Sequence, residues 1–120
     1  MPIKGSFTPF DLIRIKKAMV YIEEHYSDYI SAENLSIEVN MDIKLLQTGI
    51  QFMTGLTIHN YLLKTRIDKA AIALEDFSNS IKWIALSYGF SSHGHFSTEF
   101  KKQKKMSPKE YRYQLLQICD

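Results

Sequence analysis

The residues best equipped for chemistry lie in one stretch, "GFSSHGHFSTEFKKQKKMSP", from Gly89 to Pro108. It offers two histidines, several hydroxyls and four lysines within five positions. Three chemistries compete for such residues: a metal site, a hydrolytic site and a surface for a polyanion. His93 and His95 stand two apart, and on a helix residues at i and i+2 do not face each other. No carboxylate or thiol cluster adjoins them in sequence, so the pattern does not make a zinc site. Serine and histidine occur together, yet there is no nucleophile elbow and no ordered acid partner, so no enzyme is expected. Nothing calls for a cofactor. The lysines at 101–105 remain, as a solvated face or as contacts to phosphates.

Charge placement bears on that choice. The chain has 120 residues, 45% hydrophobic and 23% charged, with a net charge of only +2. Residues 1–80 carry 8 Lys and Arg against 10 Asp and Glu, a net −2, whereas 81–120 carry 7 against 3, a net +4. Such asymmetry points the C-terminal third toward a polyanion. The hydrophobic content is too high for a disordered chain. No apolar run approaches ~20 residues, so no membrane span is expected. The opening "MPIKGSFTPFD" shows no apolar signal core, so no secretion signal is expected either. The single Cys119 cannot form an internal disulfide and is expected to be inert, in keeping with a reducing cytoplasm.

These residues need elements to position them, and the pattern is helical almost throughout. Thr8-Pro9 reads as a cap followed by Pro at the first helical position. Leu12, Ile15, Met19, Ile22 and Tyr26 then mark one face of a first helix. Ser31 caps a short second helix with Leu35 and Val39 turned inward, and Asn40 suits the left-handed turn that follows. Asp42 caps a third helix over 43–53, closed by Gly55. Thr57 caps a longer fourth helix, whose apolar face is Ile58, Tyr61, Leu62, Ile67, Ala70, Ala71 and Leu74. At 1.5 Å per residue, about 18 residues make a rod of about 27 Å. Ile81, Ile84, Ala85 and Tyr88 mark a short fifth helix stopped by Gly89. Ser92 caps a sixth, with Phe96 and Phe100 at i and i+4 on a core face. Trp83 and Tyr88 read as core or helix-contact residues. Ser107-Pro108-Lys109-Glu110 is a capping box that opens a seventh helix.

A short–turn–longer unit therefore occurs twice. In both, a small residue (Ser36, Ala85) precedes a turn former by four (Asn40, Gly89). An apolar residue (Met41, Phe90) and a capping residue (Asp42, Ser91 or Ser92) follow. This is an internal repeat of two helix-turn-helix units. The fold class expected is all-α, about seven helices, with two helix-turn-helix subdomains joined by a long linker helix. The boundaries expected are an N-terminal arm over 1–9, a first subdomain over 10–56, a linker over 57–76 and a second subdomain over 77–120.

The segment "SIKWIALSYGFSSHGHFSTEFKKQKKMSPKEYR", Ser80 to Arg112, resembles the signature of AraC/XylS-type transcription regulators. "TGLTIHNYLLKTRIDKAAIAL", with Arg66 and Ala70, is similar to the family's entry into its linker helix. The resemblance covers about residues 12–112. It implies sequence-specific binding of double-stranded DNA, one helix per subdomain in consecutive major-groove segments, which lie about 34 Å apart. Carried over by position, base contacts fall to Lys44, Gln47 and Thr48 in the first unit, and to His93, Gly94, His95, Ser97 and Thr98 in the second. Gln can hold adenine, Lys can reach guanine, and Ser, Thr and His suit several edges. Gln51, Lys101 and Lys102 would reach phosphates, which position without reading sequence. RNA polymerase is a candidate partner, as is a separate ligand-binding or dimerisation domain of the kind many relatives carry. Met1 fits either a stand-alone regulator or the excised C-terminal domain of a longer one. The location implied is the cytoplasm, at the bacterial nucleoid.

Several positions depart from the family pattern. Gly49 stands where a large apolar residue is usual, and a mid-helix Gly costs about 1 kcal/mol relative to Ala. A packing gap is expected there, with Phe52 either folded into it or exposed. Thr48 replaces a frequent Arg. Lys105 stands where Gly commonly ends the sixth helix, so that end is expected to be strained or rearranged. The alternative reading is a helical protein-interaction module with reduced DNA reading. Between the units, the second is expected to dominate binding.

Overall fold

The structure is a computed structural model and describes residues 7–119, with side chains described as far as Gln117. The arm before Phe7 and the side chain of Cys119 lie outside the described residues. Among the described residues seven helices follow one another: α1 Pro9–Glu24, α2 Ala32–Glu38, α3 Ile43–Thr54, α4 Ile58–Ala73, α5 Ile81–Ser87, α6 His93–Lys104 and α7 Pro108–Cys119. The described residues contain no strand. None of the described helices is long and apolar enough to cross a membrane.

Local chemistry sets the helix starts. Thr8 and Asp11 form a reciprocal capping box: the Asp11 N–H donates to the Thr8 hydroxyl at 3.0 Å, and the Thr8 N–H donates to the Asp11 carboxylate at 3.0 Å. Ser31, Asp42, Ser80 and Ser92 each accept from the third residue of the helix they open. Ser107 and Glu110 repeat the reciprocal box at α7, at 2.9 and 3.1 Å. Each cap satisfies amide donors that a helix start otherwise leaves unpaired. The turns inside the two repeats use positive φ: 54° at Asn40 and 100° at Gly89. Lys105 keeps the left-handed geometry at the end of α6, with φ 67° and its N–H on the Lys101 carbonyl at 2.9 Å. The helix ends there as a Gly would end it, and a Lys bears the steric cost.

The chain divides into two compact units, one ending at Leu62 and the other beginning at Leu63. The first is built on Ile15, Ala18, Ile22, Leu35, Val39, Leu46, Ile50, Ile58 and Leu62, and Phe7 joins it at 7% exposure. The second is built on Leu63, Ile67, Ala70, Ala71, Leu74, Ile84, Ala85, Phe90, Phe96 and Phe100. Helix α4 belongs to both, so it has no single apolar face. Ile58 and Leu62 serve one core, and the stretch from Leu63 serves the other. It is also 16 residues long rather than about 18.

Polar contacts reinforce each unit. In the first, the Tyr61 hydroxyl donates to Glu23 at 2.9 Å. Burial and that carboxylate push the Tyr61 pKa up to about 12. In the second, Arg112 donates to the carbonyls of Leu74 and Asp76 at 3.0 and 3.1 Å, which closes the end of α4, and its guanidinium lies 5.5 Å from the centre of the Phe77 ring.

Two expectations need correction. Of the two readings of Trp83, core or helix contact, the core one falls, since the residue is 52% exposed. Helix α5 is only seven residues long, and Ile84 and Ala85 take its inward positions. The gap expected at Gly49 is filled. A Cβ built on Gly49 would stand 2.3 Å from Ile15 Cδ1 and 3.6 Å from Phe7 Cε1, so α1 and the segment before it occupy that space. Phe52 stays 41% exposed, with its ring 5.7 Å from that of Phe7.

Candidate nucleic-acid interface

Helix α3 turns about 100° per residue, so positions i, i+3, i+4 and i+7 form one stripe. Leu46, Gly49 and Ile50 face the core. Lys44, Gln47, Thr48 and Gln51 fall together on the opposite side, the first two and Gln51 exposed and Thr48 half-buried. Lys44 is the only cation among these four. The Gln51 side-chain amide also donates to the Gly55 carbonyl at 3.2 Å, so part of its hydrogen-bonding capacity serves the end of its own helix.

Helix α6 is ordered the same way, and more strongly charged. Phe96 and Phe100 are fully buried. Phe96 packs against Phe90 with ring centres 5.2 Å apart, and Phe100 against Tyr111 at 5.3 Å. This aromatic stack holds one side of the helix, leaving Gly94, His95, Thr98, Lys101 and Lys102 in one exposed stripe opposite it. Lys105, beyond the last turn, continues that stripe. Ser97 lies half-buried at its flank, and His93 is exposed in the first turn on the same side as Ser97. The His95 ring meets Phe90 edge-on at 5.4 Å, so one side of the imidazole packs on Phe90 while the residue remains exposed.

The four lysines of this helix end do not share one role. Lys104 turns toward α4 and donates to Asp68 at 2.9 Å, while Lys64 donates to the other oxygen of the same carboxylate at 2.7 Å. Lys104 is thus a structural cation. Lys101 and Lys102 stay exposed with neither in an ion pair among the described residues. They also lie in the last turn of α6, where cations are favoured by the unpaired carbonyls.

A helix with a buried aromatic side and an exposed stripe of hydroxyl, imidazole and ammonium groups can present donors to base edges and charge to phosphates. Residues 35–114 match the model of a helix-turn-helix domain family. That match runs from within α2 into α7 and includes α3 and α6. The chain belongs to the AraC/XylS family of helix-turn-helix DNA-binding domains. It is 31% identical over 99 residues to the HTH-type transcriptional activator RhaS of Enterobacter sp. (strain 638), covering 82% of this chain and 36% of that protein. The chain therefore spans about a third of the length of this curated relative. Among solved structures, it is similar to a transcriptional regulator of AraC-type DNA-binding-domain class from Chromobacterium violaceum, with TM-score 0.81, 26% identity, and coverage of 86% of this chain and 92% of that one. It is also similar to the C-terminal domain of AraT, a response regulator from Geobacillus stearothermophilus, with TM-score 0.79, 30% identity, and coverage of 89% and 86%.

His59, not marked in the sequence, stands exposed in the first turn of α4 and, with Gln47, Gln51, Thr57 and Ile58, lines a recess of about 230 Å³ beside the α3 stripe. The signal for it was the short "TGLT" exit of α3, which brings the start of α4 next to the end of α3. No group of three or more His, Cys, Asp or Glu that could hold a metal occurs among the described residues.

Proposed function

We propose that this chain binds double-stranded DNA sequence-specifically as a transcription regulator, with α3 of the first unit and α6 of the second each entering the major groove. The α6 stripe supports this most directly: His95 and Thr98 stand exposed beside Lys101 and Lys102, all opposite a buried aromatic side. In this reading Lys44, Gln47, Thr48, His93, Gly94, His95, Ser97 and Thr98 meet base edges. Gln51, Lys101 and Lys102 meet phosphates. The +4 balance of residues 81–120 makes α6 the stronger contributor. The protein acts in the cytoplasm at the nucleoid, without enzymatic activity, and works with RNA polymerase. Relatives such as RhaS are almost three times as long as the matched region, and a separate ligand-binding or dimerisation domain is a candidate partner of this one, whether in the same chain or apart from it.

A second reading, a protein-interaction module, draws on a groove of about 510 Å³ in the first unit. Ile13, Val20 and Val39 line it together with Lys16, Lys17, Glu24 and Glu38. A gel shift with random duplex DNA separates the two readings. DNA binding through phosphates weakens steeply with salt, log K falling by about 0.9 per contact per log unit. Binding at low salt that fades as salt rises supports the DNA reading, and absent or salt-insensitive binding supports the other.

A further inference from the structure

Part of the seat of α3 is built from outside the α2–α3 helix-turn-helix pair. Gly49 has no side chain, and the space above it is taken by Ile15 of α1 and by Phe7, which precedes α1. Phe7 is 7% exposed although it lies outside any helix. Its ring also meets that of Phe52 at 5.7 Å with an interplanar angle of 38°. Gly49 and Phe52 are three apart on α3, about one turn. The Phe7 ring meets Phe52 at the border of the stripe that carries Thr48 and Gln51, and its edge reaches, behind Ile15, the space a Gly49 side chain would fill on the core side. A ring packed beside the helix over this turn resists rotation of the helix about its own axis.

From these contacts we infer that Phe7 is a positioning residue for DNA reading by α3. It acts through Gly49 and Phe52 and touches no base itself. Rotation of α3 moves Lys44, Gln47 and Thr48 relative to base edges, and hydrogen-bond discrimination tolerates little misplacement. The chain just before α1 thereby sets the precision of the first unit. Phe52, exposed and aromatic beside the stripe, is explained as the second half of this clamp. The inference rests on the DNA reading above.

The test is base-preference profiling of the full chain on duplexes selected from a random library, with wild type, Phe7→Ala, Phe7→Leu and Phe52→Ala compared at a temperature where circular dichroism shows each one folded. Phe52→Ala guards against a Phe7→Ala chain that does not fold, since Phe52 is 41% exposed. The expected result is a loss of about fivefold or more in discrimination at the base pairs assigned to α3, with the α6 half of the site unchanged. Those base pairs are located by the profile of Gln47→Ala. Phe7→Leu should recover part of the loss, and the Phe7→Ala, Phe52→Ala double variant should lose no more than the worse single variant. An unchanged profile in folded Phe7→Ala or Phe52→Ala overturns the inference, as does an equal loss across the whole site. A wild-type chain that selects no duplex overturns the DNA reading itself, which is a distinct outcome.

Discussion

Lys104 of α6 and Asp68 of α4 form a charged hydrogen bond of 2.9 Å that removes one of four clustered lysines from the exposed face. Lys64 completes the arrangement from the other oxygen. Burial alone would raise the Asp68 pKa, but the hydrogen bonds from Lys64 and Lys104 outweigh it and hold the carboxyl below its ordinary value. A depressed folded pKa means that the contribution is present above the unfolded value, about 3.9, and is lost as pH falls through the folded one. Asp68→Asn should therefore unfold at lower temperature than wild type near neutral pH, with the gap closing below about pH 4. The side chain is 41% exposed, so screening limits the effect to about 1 kcal/mol or less. Thermal unfolding across pH 2.5–7 (chosen roughly to span the ordinary carboxylate range) checks this, and a gap that widens in acid would contradict it.

Gly49→Ala should destabilise the protein although helix propensity favours Ala by about 1 kcal/mol. The new methyl would stand 2.3 and 2.7 Å from Ile15 Cδ1 and Cγ1, and Ile15 is fully buried. Overpacking of this kind costs about 1–3 kcal/mol, leaving a net loss of up to about 2 kcal/mol. Urea unfolding measures it. A variant more stable than wild type would show that Ile15 repacks freely.

Phe96→Ala should cost about 3–5 kcal/mol, a large fraction of a small domain's stability. The ring is fully buried and touches Phe90 and Phe100 at 5.2 and 5.6 Å, so its removal leaves a cavity in the aromatic stack. Chemical denaturation monitored by circular dichroism reads the loss directly, and a cost below about 1 kcal/mol would contradict the packing described.

Much of this architecture is written locally. Thr8, Ser31, Asp42, Ser92 and Ser107 act within three residues of themselves, so each helix start is visible in the sequence around it. The inward faces of the short helices follow the 3.6-residue period, and Leu35, Val39, Ile84 and Ala85 are buried as that period requires. What is long-range was not visible. The periodicity of α4 gives no warning that Leu63 and Thr65 are buried, because the helix serves two cores. Phe7 lies outside any periodic segment, so nothing marks it as a core residue. Trp83 has the size of a core residue but sits on a helix whose inward positions are already filled. The split among the lysines depends on Asp68, 36 residues from Lys104. The candidate interface was legible as a set of residue types at helical spacing, whereas the inward turn of Lys104 and the recess beside His59 needed coordinates.

The central claim is that α6 carries most of the DNA binding, and an affinity series on one selected duplex at two salt concentrations tests it most directly. Substituting Lys101 and Lys102 together by Ala should weaken all duplexes alike and lower the salt slope by about two units. Substituting His95 or Thr98 by Ala should relax preference at one or two base pairs, by about 1–3 kcal/mol where the contact is a good one. Lys44→Ala and Gln47→Ala should have smaller effects on the same duplex. Larger losses of discrimination in the Lys44 and Gln47 variants than in those of His95 and Thr98, or a salt slope unchanged without Lys101 and Lys102, would contradict the account.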